Sequence, residues 1–149
     1  MIFLLDTDTL IFMVRGLKST RRPAQRRAAQ ELTEQCRRTQ SAGDSVGLSA
    51  ITISELEFGA RNSDQYEAEM AAVRKVLTPF DIYDYESVSC PLHYGRIRHE
   101  LENKGVAIGS MDLLIAAHAL ALDATLVSNN LAHFGRVSGL RTVNWLTRA

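Results

Sequence analysis

Met1-Ile2-Phe3-Leu4-Leu5-Asp6-Thr7-Asp8-Thr9 opens the chain: an apolar run delivered straight into acids and hydroxyls. An apolar run without alternation suits a strand covered on both faces, the central strand of a parallel sheet packed between helices. Such a sheet offers its chemistry at the carboxyl ends of its strands, so this reading places Asp6 at the rim of a ligand crevice. Asp ahead of an amphipathic stretch is also a common helix N-cap. The stretch alone favours that plainer use, with a short helix over Thr9–Val14 that starts at Asp8 and ends at Gly16. Only acids arriving at comparable positions elsewhere can overturn it.

Working outward, Val46-Gly47-Leu48 and Ala124-Thr125-Leu126-Val127 read as further strands of the same buried kind, Phe80–Tyr83 as a short strand, and the region around Val143 as an edge strand with Trp145 in the core. Helical patterns lie between them. Pro23 to about Gln40 has strong helix formers and a thin apolar line of Ala28 or Ala29, Leu32 and Cys36, which predicts a protruding, mostly exposed helix. Ala50–Gly59 follows Ser49 with Ile51, Leu56 or Phe58 inward. Residues 63–78 carry Tyr66, Met70, Val73 and Leu77 at helical spacing before Pro79, and Glu86–Lys104 carries Val88, Leu92, Ile97 and Leu101. Met111–Leu122 is apolar almost all round and therefore buried, with Asp112 its only acid.

With 149 residues the chain is long enough for one domain that buries ~70% of its unfolded surface. Cys36 and Cys90 form no CxxC and are too few for a disulfide framework; both read as small hydrophobes of a reducing, cytoplasmic compartment. No stretch approaches the ~20 apolar residues of a membrane span. The 17 basic and 17 acidic residues cancel, but not evenly: eight cations lie between Arg15 and Arg38 against two acids, Glu31 and Glu34. That surplus suits either phosphate contact or a solvated helix face. His93, Arg96, Arg98 and His99 share a helix face without partners at metal-ligand spacing, so they read as surface residues.

Three carboxylates stand beside apolar elements: Asp6 after a strand, Glu55 inside a helix that follows a strand, and Asp112 in the first turn of a buried helix. Each has a plainer reading, as an N-cap, as the acid of a Thr52-x-x-Glu55 capping box, or as a partner of the helix dipole. One shared site is more economical than three separate coincidences. Several carboxylates without a fixed histidine or cysteine suit Mg²⁺ or Mn²⁺, which take oxygen ligands and lower the pKa of bound water for attack at phosphorus.

Leu4-Leu5-Asp6-Thr7-Asp8, Ser49 to Ala60, Ile108 to Ala119, and Leu126-Val127-Ser128-Asn129-Asn130 with Phe134-Gly135-Arg136-Val137 resemble, in order, the four motif blocks of PIN-domain ribonucleases of the VapC toxin type. The ordered set spans nearly the whole chain. The resemblance implies a three-layer α/β/α sandwich with a mainly parallel sheet, which agrees with the pattern of strands and helices. It implies a single domain over 1–149, from whose compact pattern the chain departs by a basic helical insertion around 16–44. It further implies a metal-dependent endoribonuclease in which Asp6, Glu55 and Asp112 bind Mg²⁺ or Mn²⁺, a homodimer, and a VapB-type antitoxin that blocks the site. Many relatives carry a further acid near the end of the fourth block; here the stretch is Asn129-Asn130-Leu131-Ala132-His133-Phe134. Ser128 and Asn130 are expected to hold metal-bound water, His133 to meet the scissile phosphate, and Arg21, Arg22, Arg26 and Arg27 to contact RNA or antitoxin. Two rivals stand beside this reading. Asp6-Thr7-Asp8-Thr9 also resembles the opening of haloacid-dehalogenase-type phosphatases, with Asp6 as nucleophile, and the missing acid suits a non-catalytic RNA- or protein-binding domain.

Overall fold

The computed structural model describes residues 1–18 and 20–146. Strands β1 (Ile2–Leu5), β2 (Ser45–Ser49), β3 (Asp81–Tyr83), β4 (Thr125–Val127) and β5 (Arg141–Val143) form one sheet, every pairing parallel, in the order β3-β2-β1-β4-β5. Around it lie α1 (Thr7–Gly16), α2 (Pro23–Ser41), α3 (Ala50–Asn62), α4 (Tyr66–Leu77), α5 (Ser89–Asn103), α6 (Ser110–Ala121) and the single-turn α7 (Leu131–Phe134).

The opening strand is central, and its two leucines build opposite faces because side chains alternate along a strand. Leu5 packs with Leu10, Met13, Leu32, Leu48, Leu56 and Met70 beneath α1 to α4. Leu4 packs with Ile97, Leu101, Ile115, Leu126 and Phe134 beneath α5 to α7. Both leucines are fully buried, worth about 1.5–3 kcal/mol each.

The chain leaves β1 toward β2 and β3, then returns to β4 and β5 on the other side. This reversal opens a crevice at the carboxyl ends of β1 and β4. Leu5 pairs with Leu48 on one side and Val127 on the other, so Asp6, Ser49 and Ser128 follow in one row at the sheet edge. The Asp6 amide donates to the Val127 carbonyl (3.0 Å) and the Ser128 amide to the Val143 carbonyl (2.9 Å), which extends the ladder into the rim itself.

Several boundaries and faces differ from those expected. Helix α1 starts at Thr7, earlier than expected, because Asp6 and not Asp8 is its N-cap. Helix α2 does not protrude: Ala29, Leu32, Cys36 and Thr39 are buried against the domain, and a Cβ on Gly16 would stand only 2.6 Å from that of Ala29. A narrow apolar line suffices because only a narrow stripe touches α1 and β2. Burial pushes the Cys36 thiol up to about 12, which leaves it an unreactive filler. In α5 the inward residues are Cys90, Ile97 and Leu101, while Val88 and Leu92 are exposed. Val88 is the N-cap that precedes the helix, and Leu92 lies two positions beyond Cys90, about 200° around the helix from it. Phe58 bears the same relation to buried Leu56 and is likewise exposed.

Candidate active site

Asp6 occupies the centre of the rim and is 3% exposed. One carboxylate oxygen accepts the Thr9 amide (2.8 Å), the helix cap, and the other accepts the Ser128 hydroxyl (2.6 Å). The capping role and a place in the crevice are therefore not alternatives; one carboxylate does both. Burial raises its pKa above the usual aspartate value, against the lowering effect of the Ser128 and Thr9 hydrogen bonds, and Asp8 adds to the rise.

Glu55 comes from α3. The capping-box reading fails, since the N-cap of α3 is Ser49, whose Oγ accepts the Ile51 amide (3.0 Å), and Thr52 lies inside the helix. Glu55 instead accepts a hydrogen bond on Oε1 from the hydroxyl of Thr7, the residue next to Asp6. Thr7 Oγ1 is also 2.9 Å from Thr52 Oγ1, and both hydroxyls are buried. A carboxylate has no hydrogen to give, so Thr7 donates to Glu55 and Thr52 donates to Thr7. This relay ties α3 to the start of α1.

Asp112 enters from the first turn of α6 and is half-buried. Its pKa is raised, first by burial and then by the charges of Asp6, Asp8 and Glu55; His133 acts against this. Acids from three separated segments thus act on one another at one edge. His133 Nδ1 lies 4.0 Å from Asp112 Oδ2, and the Asn130 side-chain amide lies 2.9 Å from the same ring nitrogen. The Asn130 backbone amide donates to Ser128 Oγ (2.8 Å), so the fourth block is bonded through Ser128 to Asp6. Of the four arginines singled out, Arg21 lines clefts beside Glu55 and Asp8; Arg22, Arg26 and Arg27 are exposed and line neither.

Among the described residues, no three His, Cys, Asp or Glu side chains stand close enough together to hold a metal ion directly between them. The donor set is nevertheless one that a hard cation accepts. Mg²⁺ keeps several of its waters and is commonly held by one or two carboxylates with water between it and the rest, whereas a closed cage suits zinc. Burial raises the Asp112 pKa and the charges of Asp6, Asp8 and Glu55 add to the rise; that repulsion is what a cation would relieve. Thr7 and Thr52 were missing from the sequence-derived site. Two threonines beside two candidate acids, one of them in an otherwise apolar helix turn, were the available signal.

A parallel sandwich with these acids at its switch point defines a class, and comparison with known proteins identifies it. A family model described as the PIN domain matches residues 3–140, and the chain belongs to that family. Within it, the similarity is to VapC ribonucleases. "Ribonuclease VapC2" of Haemophilus influenzae is 38% identical over 144 residues, covering 97% of this chain and 98% of that protein. "tRNA(fMet)-specific endonuclease VapC" of Shigella flexneri is 32% identical, covering 96% of this chain and 97% of its own. Among solved structures, VapBC2 from Rickettsia felis bound to a DNA fragment from their promoter superposes with a TM-score of 0.78 at 32% identity, covering 97% and 99% of the two chains. The phosphatase alternative is set aside by the same match.

Proposed function

We propose that this chain is a divalent-metal-dependent endoribonuclease, the toxin of a type II toxin–antitoxin pair, silenced by a VapB-type antitoxin. One observation carries the site: Asp6, fixed between two strand ends, stands where Glu55 and Asp112 act on the same edge. Asp6, Glu55 and Asp112 would hold Mg²⁺ or Mn²⁺, which when bound supplies an activated water and offsets the charge that builds at phosphorus. The chain's own residues do the rest. Ser128 and Thr9 set the Asp6 carboxylate plane. Thr7, the residue next to Asp6, holds Glu55 by its Oε1. The Asn130 side-chain amide stands against His133 Nδ1, so Nε2 is the ring nitrogen left to offer a hydrogen to a phosphate oxygen.

Transfer RNA is the first substrate to try, because a relative named for tRNA(fMet) cleavage aligns over nearly the whole chain. The homodimer and a cytoplasmic location belong to the same proposal. Among the described residues no helix is long and apolar enough to cross a membrane. The test is incubation of purified protein with a panel of RNAs, initiator tRNA included, with Mg²⁺, with Mn²⁺ and with EDTA. Cleavage that needs the metal and disappears in Asp6→Asn is expected. An Asp6→Asn chain as growth-inhibitory as its parent would instead make the fold a binding module.

A further inference from the structure

Helix α1 carries Asp8, Ile11, Phe12 and Arg15 at the spacing that forms one helix face. That face begins among the site acids, where Asp8 acts on Asp112, and ends at Arg15, about 10 Å further along the axis. Two clefts open along it. One, of about 320 Å³, is bounded by Glu55, Ile11, Arg15 and Arg21; the other, of about 350 Å³, by Asp8, Ile11, Phe12, Arg15, Arg21 and Gln25. Ile11, Arg15 and Arg21 border both, so the clefts adjoin and lead away from the acids. Lys18, the third cation here, is paired with Glu69 (2.8 Å). Among the described residues neither Arg15 nor Arg21 has a carboxylate within ion-pair distance.

We infer that Arg15 and Arg21 hold RNA phosphates adjacent to the scissile one, so that the substrate strand runs along α1 from the acid edge. This rests on the ribonuclease reading and adds the track to it. A chain of zero net charge whose reactive edge is acidic retains a polyanion only where local cations outweigh that repulsion. Guanidinium groups suit phosphate because their planar fork meets two oxygens at once. Ile11 and Phe12 supply an apolar floor for a sugar or base face between the charges. Arg22, Arg26 and Arg27, though equally basic, lie off this path.

The experiment measures binding of fluorescently labelled total transfer RNA by anisotropy across a salt series, in the Asp6→Asn background so that the RNA stays intact. Arg15→Gln/Arg21→Gln is expected to weaken binding about tenfold at low salt. It should also flatten the slope of log K against log salt by about 1.4, two contacts at ~0.7 each. Arg96→Gln/Arg98→Gln, on α5 in the opposite layer, should leave both values as they were, and Arg26→Gln/Arg27→Gln should change them far less than the cleft pair. In the chain that retains Asp6, the cleft pair should raise KM with little change in kcat. The proposal is overturned if the cleft pair leaves affinity and slope intact, if either control pair matches its loss, or if the Asp6→Asn chain binds no RNA. It is also overturned if the cleft pair keeps RNA but no longer captures the antitoxin, which would make the cleft a protein-facing surface. The ribonuclease reading is judged separately, by metal-dependent cleavage with Asp6 present.

Discussion

Asp6 and Asp112 open on the same edge, yet one is built into the sheet and the other hangs from a helix. Asp6 is buried, receives a hydrogen bond on each oxygen, and its neighbour Thr7 holds Glu55. Asp112 is half-buried, and its carboxylate faces His133 only at the long ion-pair distance of 4.0 Å. The strand-end half of the site is a template whose shape the fold dictates, because moving Asp6 would break the cap of α1 and the tie to Ser128. The helix-end half has few bonds to lose, and in the proposed ribonuclease it would adjust to a cation and a phosphate. Preorganisation is thus concentrated on one side of the crevice.

The sharpest way to break this contrast is Asp6→Asn. The carboxamide oxygen of that variant can still accept the Thr9 amide, so the helix should keep its cap and the fold its melting temperature to within a few degrees, while cleavage falls about 10³-fold or more. A folded variant with near-parental cleavage of RNA would show that the buried carboxylate is only a cap.

The relay is tested next. Thr7→Val keeps the volume but removes the donor to Glu55, and should cost about 10–100-fold in activity or metal affinity, with Thr7→Ser restoring most of it. If valine and serine behave alike, Thr7 is a packing residue and Glu55 needs no orienting partner. On the looser side, His133→Ala should lower kcat only about three- to tenfold, the scale of one hydrogen bond. A loss as large as that of Asp6→Asn would reverse the ranking of the two halves.

The smallest effect concerns stability. Asp112 has a raised pKa in the folded state, so its contribution to stability is greatest when it is protonated and is lost as pH rises through that folded value. Without metal at neutral pH, Asp112→Asn should therefore melt roughly 2 °C higher than the parent, a modest figure because solvent screens a half-exposed carboxylate. Mg²⁺ should raise the parent's melting temperature and cancel the difference. Calorimetry with EDTA and then with Mg²⁺ checks both signs, and an Asp112→Asn chain that melts lower without metal would contradict the shared field of the acids.

How much of this was legible in the residues varies by position. The unalternating run before Asp6 told of a strand covered on both sides, and the three acids marked themselves by standing beside apolar elements, Asp6 after a strand, Glu55 inside a helix and Asp112 in a helix's first turn. The faces of α3 and α5 were less legible. Leu56 and Phe58, or Cys90 and Leu92, are comparably apolar, and only the neighbouring helix decides which of each pair turns inward. The basic segment was misjudged for a related reason: Gly16 permits α2 to approach α1 closely, and nothing local announces that approach.

Local pattern, then, determined the element types, the buried central strand and the identities of the acids, because periodicity and apolar run length are properties of neighbours in the chain. Tertiary structure alone decided that Ser128 would clasp Asp6 and that Thr7 would reach Glu55. Those contacts join residues 122 and 48 positions apart. They exist because the parallel register of β1 with β4, and the seating of α3 against α1, bring distant segments to one edge, and no short-range preference encodes a register.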